Sequence, residues 1–369
     1  MSEPLYRVIY NDLLSQIKSG ALAPGSRLPT EHALMERYRV GRVTAGRALN
    51  LLREDGLIIR STKIGSVVCI GSEHGAARRR TIPFLTIHCD DSIPGLLAAA
   101  EAEAALHGYS LALYETKKSA ETERDILAGI LKTGAPGVIS YPLNGEFTNL
   151  SAYVELMRAG IPVVTVDKRI WMPNAYIPCI TTDNRKAFRR LTEWVIDQGH
   201  RRIGYCCADF SQANARYRHQ GYAEALIAHG IPYDDALVDQ LLVRITPYRS
   251  DAAVSLPFLR YLLELPEPPT ALVCECDALA FRMMREAKKL GIRLPEQLSI
   301  TGFDNIGMCE LCHVPLTTME QDFTAIGREA VRQLLAMMQD KPVPPLTLFD
   351  AKLVKRESVL RMDPTNHAT

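Results

Sequence analysis

Several apolar runs in this chain end on a polar residue: Asp90, Ser140, Asp167, Asp183, Asp209, Asp277 and Asp304. In parallel sheets, ligands bind beyond the carboxyl ends of the strands. A rim of carboxylates there, with an arginine and aromatic rings nearby, suits a polyhydroxylated small molecule. The carboxylates accept from hydroxyls, a guanidinium donates as a fork, and a ring stacks on the sugar face. Strand-to-helix turns also favour aspartate as a helix N-cap, so any one of these carboxylates can be spent on backbone instead.

A second set lies near the N-terminus, in "VGRVTAGRAL" (Val40 to Leu49). Helical spacing gathers Ala45, Ala48, Leu49 and Leu52 into one apolar stripe and turns Arg42, Thr44 and Arg47 outward. Guanidinium forks suit guanine edges or phosphates, and a hydroxyl suits either. Gly46 sits among them although glycine inside a helix costs about 1 kcal/mol relative to alanine.

The elements that would position this set follow from the flanking pattern. Leu5, Val8, Ile9, Leu13 and Ile17 recur at helical spacing, and Ser19–Gly20 stops that helix. Thr30 is an N-cap for a short helix running to about Tyr38. A third helix runs from about Val43 to Asp55, with Gly56 as its C-cap. "LIIRSTKIGSVVCI" then reads as two short strands joined by a polar turn. Three helices and a hairpin make a winged helix-turn-helix, whose later helix enters the DNA major groove. Lys63 on the hairpin turn would reach phosphate or the minor groove, and Arg27, Thr30, His32 and Val43 complete the candidate DNA face.

Charge supports the division. The net charge is +1, but residues 1–80 hold 13 Lys+Arg against 7 Asp+Glu, and the remainder 30 against 35. A basic head on a mildly acidic body points to a polyanion partner for the head alone. A length of 369 residues, 47% hydrophobic and 23% charged, fits two or three globular domains. Met1 to Gly20 lacks the apolar core of a signal peptide, and no window approaches eighteen uninterrupted apolar residues. The expectation is a cytoplasmic chain with no membrane partner.

Nine cysteines are scattered through apolar stretches and read as reduced core residues. "CELCH" (Cys309 to His313) matches the pattern of c-type haem attachment, but that chemistry requires export, and no second ligand pair lies at a zinc-finger spacing. No cofactor and no metal are expected. No P-loop, no GxGxxG and no recognisable nucleophile–base motif is present, so an enzyme is not expected.

From about residue 82, strand-like runs such as "IPFLTIHC", "IPVVTVD", "TALVCECD" and "LSITGFD" alternate with helical patterns such as "NRKAFRRLTEWVIDQG". That rhythm means parallel sheets flanked by helices. Some nine to eleven strands would strain one open sheet, which predicts two similar lobes with a cleft between them. "GSEHGAARRRT" (Gly71 to Thr81) reads as a linker.

Residues 4–70 resemble the DNA-binding domain of the GntR regulators, through "SGALAPGSRLPTE", the R-x-T-x-x-x-AL of the third helix, and "DGLI" before the wing. Gly41 stands where that family usually has Ser or Thr, His32 where Arg is frequent, and Thr62–Lys63 where a Gln-Gly type wing tip is common. Gly46 stands where Arg is common. It reads as a lost side-chain contact, with close approach of the backbone to DNA as the alternative.

Residues 82–360 resemble the LacI/GalR regulators, whose ligand domain resembles periplasmic sugar-binding proteins, through "GIPVVTVDKR", "TTDN", "RYRHQGYAEAL", "GIRLPEQLSITGFDN" and "PLTTMEQDFTAIGREAVRQLL". Matched by motif, Ser140, Asp183, Arg218, Asp304 and Phe323 fall on that family's ligand positions. Asp277 keeps an acidic position, and Cys276 replaces the asparagine common before it. The fusion of these two parts resembles that of the bacterial arabinose repressors.

The expected protein is α/β: an N-terminal winged helix-turn-helix (1–70), a linker (71–81), a two-lobed periplasmic-binding-protein-like domain with parallel sheets that also dimerises (82–360), and a tail (361–369). The resemblance implies a ligand-responsive transcriptional regulator, a repressor acting as a homodimer on pseudo-palindromic double-stranded operator DNA. A sugar is the expected effector, with a purine co-repressor as the alternative, and a sugar-binding protein without a DNA role as the rival of another class.

Overall fold

A computed structural model describes residues 4–23, 25–55, 57–61, 65–68, 80–87, 93–143, 148–172, 175–207, 210, 212–238 and 255–362 of the chain. Lys63, Asp90, Asp209, Gly56 and nearly all of the expected linker lie outside the described residues.

Helix α1 (Leu5–Lys18) buries Ile9 and Leu13 and leaves Leu5 and Val8 exposed, so its apolar stripe is only partly used. Helix α2 (Glu31–Tyr38) begins where expected, because Thr30 Oγ1 accepts from Ala33 N at 3.2 Å and satisfies an orphan donor. Helix α3 (Arg42–Glu54) buries Ala45, Ala48, Leu49 and Leu52 in one cluster with Ile9, Leu13 and Leu34. Strands β1 (Ile58–Ser61) and β2 (Gly65–Val68) pair antiparallel as the wing, and the backbone of Arg27 bridges to Val67 beside it. Tyr38 donates its hydroxyl to Asp12, and Tyr10 donates to Asp55, tying the helices from outside.

The body opens with strands β3 (Thr81–Thr86), β4 (Ser110–Glu115), β5 (Val138–Ser140), β6 (Val163–Val166) and β7 (Cys179–Thr182). They alternate with helices α4 (Pro94–Leu106), α5 (Ala120–Thr133) and α6 (Leu150–Arg158). Strand β3 thus begins at the last residue of the expected linker. Helix α7 (Asn184–Asp197) then leads into β8 (Ile203–Cys206), α8 (Ala213–Ala228), α9 (Ser255–Glu264), β9 (Ala271–Cys274), α10 (Asp277–Lys289), β10 (Ser299–Asp304), α11 (Met308–Leu311) and β11 (Thr317–Glu320). Helix α12 (Phe323–Met337) and strands β12 (Leu346–Phe349) and β13 (Lys352–Val354) complete the body.

Two sheets result, as the alternation requires. The six-stranded sheet has the order β12-β7-β6-β5-β3-β4 and is parallel throughout. The five-stranded sheet has the order β13-β11-β10-β9-β8, with β13 its antiparallel member. Runs such as "VVTV" of β6 and "ALVC" of β9 are buried at every position, as strands covered by helices on both faces must be.

The chain passes between lobes after β7, after β11 and after β12, because α7 packs in the second core and α12 in the first. These crossings touch one another. Thr182 donates to Gln321 Oε1 at 2.5 Å, Asp183 N donates to Phe349 O at 2.8 Å, and Lys186 pairs with Asp350 at 2.7 Å. Each lobe also brings two helices into close approach at a glycine. A Cβ on Gly221 of α8 would lie 2.2 Å from Arg185 O, and one on Gly327 of α12 would lie 2.3 Å from Leu96 O. Among the described residues, no helix is long and apolar enough to cross a membrane.

Candidate functional site

Two surfaces carry unusual chemistry. On the head, the outward face of α3 starts with Val43, an apolar side chain 85% exposed on the first turn. Arg42 beside it is 83% exposed, yet its Nε donates to Glu31 Oε2 at 3.2 Å. Glu31 opens α2, where an acidic group is favoured by the helix dipole. Arg47 is also held: its guanidinium lies 4.2 Å from the ring centroid of Tyr6 on α1, a cation–π contact. Thr44 is half-buried, and its N–H donates to Gly41 O. Arg27 is exposed beside the wing, and exposed His32 meets Glu36 at 3.4 Å. Thr30, expected to serve both as cap and as DNA contact, has its hydroxyl oxygen on the backbone of α2.

The second surface lies between the lobes. Arg218 of α8 is only 8% exposed, and its guanidinium stacks 4.0 Å from the Phe303 ring centroid. Its Nε donates to Asn184 Oδ1 at 2.7 Å and its Nη1 to Glu275 O at 2.6 Å. Burial opposes the charge of this arginine, but Asp304, Asp167 and Glu275 around it more than restore it. Asp304 ends β10 and Asp167 follows β6, so the carboxylates face the cation from both lobes. Burial, with added repulsion from Asp277 and Asp167, raises the Asp304 carboxyl from its ordinary range to about 8. Arg218 and the amide of Gln321, which donates to Asp304 Oδ1 at 2.7 Å, pull the other way. Tyr141 stands beside Asp167, and burial together with that carboxylate holds its phenol well above the usual range. Asp167, Asp304 and Asn305 all have positive φ, of 63°, 123° and 55°. Such non-glycine strain persists where the surroundings hold a functional geometry in place. A cavity of about 480 Å³ opens beside Asp304, where Gln321, Phe323 and Asp350 of the crossings line it.

Of the expected ligand residues, the structure therefore brings Arg218, Asp304 and Cys276 together, and seats Phe323 at the adjoining cavity. Three others take different partners. Ser140 is fully buried and bonds the Tyr153 hydroxyl at 2.7 Å, which in turn donates to Glu123 Oε1 at 2.8 Å. Asp277 is fully buried, and its carboxylate accepts from Thr318 Oγ1 at 2.6 Å, Ile306 N at 3.0 Å and Cys309 Sγ at 3.1 Å. A carboxylate with that many short-range donors holds the β10–α11 loop and has little left for a ligand. Asp183 is half-buried and caps α7, accepting from Lys186 N at 3.0 Å. Asp90 lies outside the described residues. The cluster also contains Tyr141, Asp167, Glu275 and Gln321, which the candidate set omits. Asp167 carried a signal as a strand-end aspartate, whereas Gln321 sits on a crossing that no local pattern marks. In "CELCH", the Cys309 and Cys312 thiols donate inside the lobe, to Asp277 and to Val314 O. Among the described residues, no cluster of His, Cys, Asp or Glu could hold a metal.

Comparison with known proteins places this arrangement. The family model described as bacterial regulatory proteins, gntR family, matches residues 5–68, and that of the periplasmic binding protein-like domain matches residues 192–359. The HTH-type transcriptional repressor CytR of Escherichia coli (strain K12) is 30% identical over 335 residues, covering 90% of this chain and 92% of its own length. This chain belongs to the LacI family of transcriptional regulators, with a GntR-type head. The regulator is also 28% identical over 363 residues to the arabinose metabolism transcriptional repressor of Geobacillus stearothermophilus, covering 96% of this chain and 97% of that one. The crystal structure of the transcription regulator CcpA of Lactococcus lactis shares its fold, with a TM-score of 0.67 and 21% identity over 76% of this chain and all of that one.

Proposed function

We propose that this regulator is a repressor whose head binds a pseudo-palindromic operator and whose inter-lobe cleft binds a neutral sugar that changes operator affinity. The observation that carries the reading is Arg218, a buried cation ringed by Asp304, Asp167 and Glu275. One donor fork among several acceptors matches the alternating donors and acceptors of a polyol, and Tyr141 adds a flat face. Arg218, Asp304, Cys276 and Phe323 contact or flank the effector, together with Tyr141, Asp167 and Gln321. Val43, Arg42, Arg47, Thr44, Arg27 and His32 face DNA. The arabinose repressor named among the relatives supports a sugar over a purine. No reaction is assigned to the cleft: it binds and does not turn over.

The coupling runs through the crossings. Gln321 accepts from Thr182 of the first lobe and donates to Asp304 of the second, so a change at the effector carboxylate bears on the segment about which the lobes close. Allosteric coupling is typically about 1–3 kcal/mol, or roughly 5- to 150-fold in affinity, which suffices for a genetic switch. The regulator acts as a homodimer in the cytoplasm. Exposed Leu113 and Tyr114 on edge strand β4, and Met308 and Leu311 on α11, offer apolar surface in both lobes for a second copy. Two-fold symmetry of the dimer then sets two operator half-sites.

Selection of duplexes from a random DNA pool by the purified chain tests the reading. Enrichment of a two-fold symmetric motif is the expected result. Binding without sequence preference, fading as salt rises, would reduce the head to non-specific electrostatics.

A further inference from the structure

We infer that Glu31 sets operator specificity by holding Arg42 in a guanine-reading pose, and that Gly46 keeps a competing side chain away from this pair. The inference rests on the operator-binding reading above and names the device through which that binding selects sequence.

Glu31 is the first residue of α2, anchored by the Thr30 cap, and its side chain is only 27% exposed. Its Oε2 accepts from Arg42 Nε at 3.2 Å, while the Arg42 side chain is 83% exposed. A guanidinium held through Nε keeps its terminal Nη groups free to point outward side by side. That is the geometry in which arginine donates to O6 and N7 of one guanine. An arginine on the first turn of a helix otherwise spreads over many rotamers, and fixing it removes part of the ordering cost of binding.

Gly46 lies against this pair. Positions 42 and 46 are one helical turn apart, on the same face of α3. A Cβ on Gly46 would meet Glu31 Oε1 at 3.6 Å, an ordinary contact, so the position has room for a side chain but Glu31 lies directly against it. A long cationic side chain at 46 would compete with Arg42 for that carboxylate. The glycine introduces no such competitor, at the expense of helix propensity. A carboxylate on a DNA-facing surface opposes binding to phosphates in general. Its presence there is understandable if it sharpens selection among sequences more than it weakens affinity.

The test is selection from a random duplex pool, followed by titration on the selected site and on single-base variants of it. The full-length wild type, Glu31→Gln, Glu31→Ala, Gly46→Arg and Arg42→Ala would be compared. In Glu31→Ala, discrimination for guanine at one position of each half-site should fall about tenfold, the size of one good bidentate contact. Discrimination at other positions should hold, and binding to unrelated DNA should stay equal or rise. Glu31→Gln, which can still accept from Nε without the charge, should fall between wild type and Glu31→Ala. Gly46→Arg should lose preference at the same base. Unchanged base preference in both Glu31 variants overturns the inference. So does an equal loss at every position, which would make Glu31 a support for the fold. A wild type that selects no symmetric site at all would instead overturn the operator reading itself.

Discussion

The head and the cleft both use arginine beside carboxylate, but in opposite surroundings. Arg42 is held by one acceptor in open solvent. Arg218 is buried, stacked on Phe303, bonded to Asn184 and Glu275 O, and faced by carboxylates from both lobes. An exposed ion pair contributes about 0–1 kcal/mol to stability. Removing a buried cation leaves the carboxylates around it uncompensated, at a cost of about 3–5 kcal/mol. The proposed reading surface can thus change its contacts with little effect on folding, whereas the proposed effector site is built into the fold and changes with it. A repressor needs this division, since operator and effector must be recognised independently yet linked.

The comparison is broken or sharpened by substitution. The largest effect is expected from Arg218→Ala. It should abolish the effector response and lower thermal stability by about 3 kcal/mol, because Asp304, Asp167 and Glu275 then face one another without a cation. Operator binding at low temperature should persist. Calorimetric melting together with DNA titration separates the two, and a variant that melts like wild type would deny that the site is structural.

Arg42→Ala comes next. Operator affinity should fall about tenfold to a hundredfold, the range for losing one bidentate base contact, with melting temperature and effector affinity unchanged. A large loss of stability would place Arg42 in the fold instead of on the DNA face.

The pH dependence of the cleft is smaller and has a definite sign. In the effector-free protein the Asp304 carboxyl ionises at about 8, and it faces Arg218, Asp277, Asp167 and Gln321. Hydroxyl donors of a bound sugar favour the ionised form. Effector affinity should therefore rise with pH toward about 8, by up to about tenfold per unit, and binding at pH 7 should release protons. The same shift makes the effector-free fold lose stability as pH rises through that range, since the folded state holds a proton that the unfolded chain releases at a lower pH. Calorimetry in buffers of different ionisation enthalpy reads the proton count, and proton uptake on binding would contradict the assignment.

Gln321→Leu, which removes the link between Thr182 and Asp304, should bring a few-fold change in the effector's influence on DNA, smaller than a full coupling of about fivefold or more. Effector affinity should fall as well, because Gln321 donates to Asp304 at the effector, so the coupling is read at saturating effector. The smallest effect is expected from His32→Ala, where an exposed contact with Glu36 is lost and stability should move by less than about 0.5 kcal/mol.

Much of this architecture is legible in the sequence because it is local. The Thr30 cap, the stripe of Ala45, Ala48, Leu49 and Leu52, and the strand–helix alternation follow from the period of apolar residues. The effector site is legible only in outline. Asp277 and Asp304 both stand at strand ends, and nothing in their immediate neighbours says which is consumed internally. That is decided by Thr318 and Cys309, which reach Asp277 from elements about forty and thirty residues away in sequence. Ser140 is drawn inward by Tyr153 in the same way. Gln321 acquires its role because the chain crosses between lobes there, a property of topology. On the head, Arg47 is tied to Tyr6 across helices, which no pattern within α3 could indicate.

The central claim is that a sugar in the cleft changes how the head holds DNA. The most direct measurement is fluorescence anisotropy of the selected operator, titrated with full-length protein across a panel of neutral pentoses and hexoses, with purine bases alongside. The account expects one sugar to change operator affinity at least about fivefold in wild type and to have no effect in Arg218→Ala. A sugar that calorimetry shows to be bound, but that leaves operator affinity unchanged, would contradict it, as would a response to purine bases alone.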